Sequence, residues 1–367
     1  MTKDFSNLAD LTYIRGRVAL AECLKALGIG TGDRVAVQAF TCVAVPEAVM
    51  AVGATPHWID VSENSVNMSA QSLSDNWHKD IKAVIIQHTF GIMADMPALL
   101  NIIADRVPII EDCCHTFLSN LEGRLAGRFG VASFYSFEWG KPVIIGLGGA
   151  ALVNDNALYD ILAKSRSTFR SPKLAAVAKM SLQRLAFSSL YRPSLYWTIR
   201  RMYQAMSRLG LAIGNYNPLG PGELSDDFQT LMPPSDVSRL TRKLPELEKD
   251  AKRRESLAKY YASKIAGYET VKPITSLPGA NDILVRYPVY VDNKQIVLER
   301  AQMARVEAAG WYTSPIHPLS KDDWQLVGYQ SGSCPIAEHM ANHIVSFPLS
   351  SGVTRRTINA LDRIFNS

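Results

Sequence analysis

The chain has 367 residues, 47% hydrophobic and 20% charged, with a formal net charge of +5, which describes an ordinary globular protein long enough for two domains. Its first residues hold no apolar stretch of signal-peptide length, and no run of about 18 apolar residues occurs, so neither secretion nor a spanning helix is expected. Five scattered cysteines without CxxC spacing argue against a disulfide framework or a zinc site and for a cytoplasmic protein.

Residues 16–28 read as a helix ending at glycine, with Leu20, Leu24 and Leu27 on one face. Strand candidates follow at 34–38, 55–60, 83–87 and 107–111. These apolar runs bounded by turns suit a parallel sheet buried on both faces. Polar residues after such strands lie at their carboxyl ends, where open α/β sheets bind ligands; Asp60, Gln87, His88 and Asp112 hold such positions.

Between 164 and 222 stand ten basic residues and no Asp or Glu, so the rest of the chain is net acidic. Within this stretch Leu195, Ile199, Met202, Met206 and Leu209 form a helical apolar stripe, joined by Tyr191, Tyr196, Trp197 and Tyr203. One reading is a helical insertion (about 164–224) packed on the core with a basic outer face. The other is peripheral contact of residues 164–212 with an anionic membrane. No nucleic-acid motif accompanies the charge, so nucleic acid is not expected as a partner. A long helix is expected over 236–265, disturbed at Pro245, then a strand at 285–291 and helices at 294–309 and 354–365. The implied domains are 1–235 and 236–367, the second a smaller α+β unit.

Lys141 follows Tyr135-Ser-Phe-Glu-Trp-Gly and precedes a glycine-rich run (Gly146, Gly148, Gly149), 29 residues after Asp112. A lysine amine beside permissive backbone, with a carboxylate at a strand end, is the set that pyridoxal phosphate (PLP) chemistry needs. The amine forms a Schiff base and shuttles a proton, and the carboxylate keeps the pyridine nitrogen protonated. The histidines His57, His78, His339 and His343 show no ligand spacing with carboxylates, so no metal is expected. Gly146, Gly148 and Gly149 do not follow the strand-glycine-helix order of a dinucleotide site.

Further motifs extend this set: Gly32-Asp-Arg-Val35, Phe40-Thr-Cys-Val-Ala44, Gly53-Ala-Thr-Pro56, His88-Thr-Phe-Gly91, Glu111-Asp-Cys-Cys-His115, Ser136-Phe-Glu-Trp-Gly-Lys141, Ser314-Pro-Ile-His317, Cys334-Pro-Ile-Ala-Glu338 and Ser346-Phe-Pro-Leu349. Together they resemble the DegT/StrS family of PLP-dependent sugar aminotransferases over about residues 12–163 and 236–365. The resemblance implies the aspartate aminotransferase fold: α/β, a mostly parallel central sheet in a large domain and a smaller α+β C-terminal domain. It implies Lys141 as the Schiff-base lysine, Asp112 as partner of the pyridinium, His115 at the cofactor 3′-oxygen and Ser136 at its phosphate. The backbone at Arg17 and Val18 matches the phosphate turn, and helix N-terminal amides favour a phosphate. His317, Glu338 and His88 resemble substrate-side positions.

The chain also departs from the family pattern. Arg17 stands where the family carries Thr or Ser, and Cys42 where it carries a ring-stacking aromatic. The family's Asn, which reaches the cofactor across a dimer interface, has no match; Gln229 occupies that region. The implied function is amino transfer from glutamate to a nucleotide-linked keto sugar by a cytoplasmic homodimer. Two alternatives stand beside it: a PLP enzyme acting on a lipid-linked substrate at the inner membrane face, and a non-catalytic relative that keeps the pocket.

Overall fold

The computed structural model describes residues 2–5, 7–190, 195–208 and 226–365. The central sheet contains β1 (Thr12–Tyr13), β2 (Arg34–Gln38), β4 (Thr55–Ile59), β5 (Ile81–Gln87), β6 (Ile109–Asp112), β9 (Ala132–Ser136) and β10 (Gly149–Val153), in the order β1-β10-β9-β6-β5-β2-β4. The run from β9 to β4 is parallel, and β10 and β1 close one edge antiparallel. Alternation along β5 explains the layering. Val84 and Ile86 enter the core on one face with Met96 and Leu99, and Ala83 and Ile85 enter the core on the other with Val18 and Leu20. Each fully buried aliphatic side chain of this kind contributes about 1.5–3 kcal/mol. One face carries α1 (Gly16–Ala26), α2 (Ala44–Ala51) and α5 (Asn156–Arg166), and the other α3 (Ala70–Asp75) and α4 (Met96–Ile103).

Two short strands stitch distant parts together. β3 (Thr41–Cys42) pairs in parallel with β14 (Ile316–His317), so Cys42 lies opposite His317. The hairpin β7 (Asn120–Leu121) and β8 (Arg124–Leu125) pairs through β7 with β12 (Ala280–Asn281). The C-terminal part has its own antiparallel sheet, β11 (Val271–Pro273), β13 (Arg286–Val291) and β15 (Ile344–Pro348). Its core takes Tyr261, Val289, Val297, Phe347 and Ile358.

Several elements differ from the sequence expectation. The long helix is α8 (Pro234–Lys243), one 3-10 turn at Leu244–Glu246, and α9 (Leu247–Ile265); Pro245 lacks the donor that a continuous α-helix needs. The helix expected over 294–309 stops at Met303 as α10 (Lys294–Met303). Beyond it Arg305 turns to φ 54° and Ala309 pairs with Ser346. The terminal helix is split into α12 (Arg355–Asn359) and α13 (Asp362–Phe365), after α11 (Pro335–His343).

The basic insertion forms α6 (Leu174–Leu190) and α7 (Tyr196–Arg208). Its apolar stripe does not pack on the core: Leu195, Met202 and Met206 are exposed, Met202 by 54%, and Ile199 is half-buried. Leu209 and Tyr191 lie outside the described residues. The aromatic face turns inward instead, where Trp197 donates from Nε1 to the Val306 carbonyl at 2.8 Å. An indole buries large area and still satisfies its N–H there. On α6, Leu174, Leu182 and Leu185 are exposed. None of the described helices is long and apolar enough to cross a membrane.

Candidate active site

The site forms at the carboxyl ends of β5, β6 and β9. Asp112 is the last residue of β6, one further than the sequence pattern suggests, and is buried. Its Oδ1 accepts from the Cys114 backbone N–H at 2.9 Å. Burial raises its pKa, with nearby Lys141 acting in the opposite direction; a cation at its free edge would complete this site.

Asp112 is held by its neighbour. The buried Glu111 carboxylate accepts from Phe129 N (2.6 Å) and Gly130 N (2.7 Å) on Oε1, and from Gly127 N (2.8 Å) and His88 Nε2 (3.0 Å) on Oε2. His88 Nδ1 accepts from Ala94 N, which fixes the tautomer that donates to Glu111. Both ring nitrogens are thereby engaged inside the protein, so His88 braces β6 and does not face a substrate. His88, Glu111 and Cys113 are close enough to suggest a metal cluster, but four donors already fill the Glu111 lone pairs.

His115 follows on the loop after β6. Its Nδ1 accepts from Phe90 N at 3.1 Å, and its buried Nε2 has no partner among the described residues. Burial, then Lys141, push its pKa well down. The ring is therefore neutral, with an Nε2–H donor aimed at no acceptor among the described residues.

Lys141 sits on the loop between β9 and β10. Val143, Ile145 and Leu147 anchor that loop in the cores, while Phe137 O accepts from Ile145 N and Gly146 N. Gly148 at φ +132° permits the return, and a Cβ there would lie 2.9 Å from Met232. Arg184 of α6 ties the loop down from outside, donating to Ile145 O (2.8 Å) and Asp236 (2.6 Å). Lys141 Nζ projects toward the Trp311 indole, 5.2 Å from its centroid.

The end of β9 meets the start of α1. A Cβ on Gly16 would stand 3.1 Å from Tyr135 O and 3.2 Å from Ser136 Cβ, and one on Gly149 would reach Gly16 N at 2.3 Å. Only glycines allow this approach, which sets the first turn of α1, with Arg17 and buried Val18, beside buried Ser136. Around it Arg15 pairs with Glu138 (2.9 Å) and Asp227 (2.6 Å), and Arg17 with Glu47 (2.8 Å) and Asp227 (3.2 Å). Two arginines thus meet three carboxylates. Burial opposes the Arg15 charge, but Glu138 and Asp227 outweigh it and hold its pKa up.

Of the remaining expected residues, Cys42 faces the Lys141 region; burial raises its pKa and Lys141 lowers it. His317 accepts at Nδ1 from Thr313 N (3.3 Å) and shares a hydrogen bond with Thr313 Oγ1 (2.8 Å). Burial, Lys294, Lys141 and Arg200 drive its pKa down to about 3. Gln229 is exposed, and its carbonyl accepts from Arg170 N. Glu338 accepts from Tyr329 OH and Gly332 N and does not line the cavity.

That cavity measures about 1000 Å3 and opens between Lys141, Trp311 and His317 on one side and α6, α7 and α8 on the other. Its lining carries Lys141, Arg184, Arg200, Arg239, Arg242 and Lys243, with Arg254 and Arg286 deeper, against Glu246 and Glu307. The sequence reading missed the part played by the insertion. Tyr196 and Arg200 of α7 form a wall of this cavity, and Arg200 stacks on Trp197 at 5.3 Å. The signal was an Arg three residues after the inward-facing Trp. Trp311 and Tyr312 were missed too, although only Thr313 separates them from the Ser314-Pro-Ile-His317 motif.

The sequence profile described as the DegT/DnrJ/EryC1/StrS aminotransferase family matches residues 11–186 and 235–365. The chain belongs to this family. α7, with Tyr196 and Arg200, lies between the two matched stretches. GDP-perosamine synthase of Escherichia coli O157:H7 is 35% identical over 150 residues, 41% of this chain and 41% of that protein; the match thus spans under half of that relative. The UDP-N-acetyl-3-dehydro-alpha-D-glucosamine 3-aminotransferase of Acidithiobacillus ferrooxidans is 24% identical over 91% of this chain and 77% of its own. Among solved structures, DesV of S. venezuelae superposes with a TM-score of 0.73 at 22% identity, covering 97% of this chain and 84% of its own. The aminotransferase from Psychrobacter cryohalolentis gives 0.75 at 20% identity over 99% and 90%. These likenesses fix the fold as that of the PLP-dependent aminotransferases.

Membership of the DegT/DnrJ/EryC1/StrS family indicates pyridoxal phosphate as the cofactor, and the residues present fit it. The His115 Nε2 without a hydrogen-bond partner among the described residues, the buried Asp112 carboxylate and the glycine-built cradle at Ser136 match the ring oxygen, ring nitrogen and phosphate of that group in chemistry. At the Arg15 and Arg17 ion network a phosphate would compete with Glu47, Glu138 and Asp227.

Proposed function

We propose that this protein is a PLP-dependent aminotransferase that moves an amino group from an amino acid, glutamate in our reading, to a nucleotide-linked keto sugar. The observation that carries this is the proximity of buried Asp112 and of the His115 Nε2–H to Lys141, which itself lines a cation-rich cavity.

When bound, pyridoxal phosphate supplies an electrophilic carbon and an electron sink for the amino group in transit. Lys141 Nζ would hold the cofactor covalently and, once released, take and return the proton at the substrate carbon. Asp112 would hold the proton on the ring nitrogen, its own ionisation favoured by that cation. His115 would donate from Nε2 to the 3′-oxygen. Ser136 and the first-turn amides of α1 would hold the phosphate, with Arg17 exchanging a carboxylate for it. The cations of α6, α7 and α8 suit the phosphates of a nucleotide-linked acceptor, and the half-buried, neutral His317 faces the same cavity beside Lys141.

We assign residues 1–235 to cofactor binding and 236–367 to a small domain that closes the cavity, and we expect a homodimer. A visible absorbance band on adding PLP, lost in Lys141→Ala, tests the cofactor assignment. Mass spectrometry of nucleotide keto sugars incubated with labelled glutamate tests the reaction. No band in the wild type would refute the enzyme reading and favour a binding protein.

One observation supports a second feature, contact with an anionic membrane surface. The exposed Leu174, Leu182, Leu195, Met202 and Met206 share the insertion with Lys179 and Arg201, a pattern that suits the bilayer interface. A second copy of the insertion would bring the same positive charge. Co-sedimentation with anionic vesicles, unchanged when Lys179 and Arg201 are replaced by Glu, would count against it.

A further inference from the structure

The family resemblance puts a ring-stacking aromatic at position 42, and here that residue is a cysteine. The structure shows how the space above Cys42 is filled. β14 lies on β3 with His317 opposite Cys42, which draws the preceding residues Gly310 to Thr313 across the mouth of the site. Tyr312 is fully buried there, 5.2 Å from the Phe40 ring and 6.3 Å from Phe90. Trp311 is half-buried, and its indole lines the cavity.

That indole occupies a defined place. Its centroid is 4.8 Å from the His115 ring and 5.2 Å from Lys141 Nζ. A planar ring joined to Lys141 and accepting a hydrogen bond from His115 Nε2 would have to meet the indole surface between them. Lys294 fixes the segment from behind, its Nζ donating to Tyr312 O (2.7 Å) and Ala341 O (2.6 Å). The Phe90 ring meets Trp311 edge-on at 6.3 Å.

Resting on the PLP reading above, we propose that Trp311, contributed by the small domain, is a positioning residue that supplies the aromatic contact to the cofactor at its reacting edge, in place of the missing ring at Cys42. This moves the contact from the rigid strand end to the opposite wall, so that the cofactor touches both domains.

The test uses full-length protein freed of cofactor and titrated with PLP, comparing wild type with Trp311→Phe, Trp311→Leu and Trp311→Leu/Cys42→Trp. Leucine keeps apolar volume and removes the ring. The readouts are tryptophan emission, visible circular dichroism of the bound cofactor and its release rate on dilution. Part of the wild-type emission quench should vanish in Trp311→Phe, while that variant retains the dichroic band. Trp311→Leu should weaken the band and release cofactor roughly three- to ten-fold faster, as loss of one aromatic pair implies, and Cys42→Trp should restore both. Should Trp311→Leu keep the wild-type band and release rate, or Trp311→Phe keep the full quench, the assignment is overturned. Failure of the wild type to bind PLP at all would instead refute the function proposed above.

Discussion

Glu111→Gln isolates the brace behind Asp112. The wild-type carboxylate accepts four hydrogen bonds, three of them from the fixed backbone of residues 127–130. A glutamine offers one oxygen and one NH2. With the NH2 toward Gly127 and His88 it faces one backbone donor and one imidazole N–H; turned round, it faces the amides of Phe129 and Gly130. Each orientation leaves two opposed donors in a fully buried position. Charge-assisted bonds contribute about 1.5–3 kcal/mol each and orphaned buried donors cost about 1–3 kcal/mol, so a net loss of about 3–5 kcal/mol is expected. With roughly 2.1 cal/mol/K per residue of unfolding entropy over 367 residues, the melting temperature should fall by about 4–6 °C. Differential scanning calorimetry at matched protein concentration measures it. A fall under about 1 °C would refute the idea that Glu111 organises this strand end.

Three other expectations follow from the charges. His317 has its pKa driven from the model-compound value of 6.5 to about 3 by burial and three cations. Between these values the unfolded chain takes up a proton that the native state refuses, so stability is lost as pH falls from 6.5 toward 3. His317→Gln should flatten that part of the urea-midpoint profile, and an unaltered slope would contradict it. Glu138→Gln frees Arg15 of one carboxylate and should slow PLP loss on dialysis roughly three- to ten-fold; faster loss would show that Glu138 supports the phosphate end. Arg200→Ala removes a cavity cation supplied by α7. It should raise KM for a phosphate-bearing acceptor roughly ten-fold with kcat little changed, and an unaltered KM would place the acceptor elsewhere.

Four of the parallel strands were legible because their runs are apolar on both faces and end at a polar residue, whereas β9, Ala132-Ser-Phe-Tyr-Ser136, was not read as a strand. Lys141, Asp112, His115 and Ser136, separated in sequence, come together because β6 and β9 are adjacent in the sheet. What composition could not tell is which face of an amphipathic helix is covered. Leu195, just before α7, and the methionines of α7 face outward, because Trp197 can pack inward and hydrogen-bond as well. The roles of Glu338 and His88 were misplaced for a related reason. A motif position says nothing of the local acceptors that capture a side chain, here Gly332 N with Tyr329 OH, and Glu111. Trp311 stayed hidden because its neighbours His115 and Lys141 lie 196 and 170 positions away in the chain (311 − 115 and 311 − 141).

The pairing of β3 with β14 also sets an order of assembly. Residues 41 and 316 become neighbours only after most of the chain has been made, and closing so long a loop carries an entropic cost that short-range contacts do not meet. A growing chain that has completed β10 already owns Lys141 and Asp112, yet they face an open trench without Trp311, Tyr312 or His317. The chemistry-bearing groups are thus in place well before the wall that keeps water from them, and the unfinished protein has no enclosed pocket in which to act.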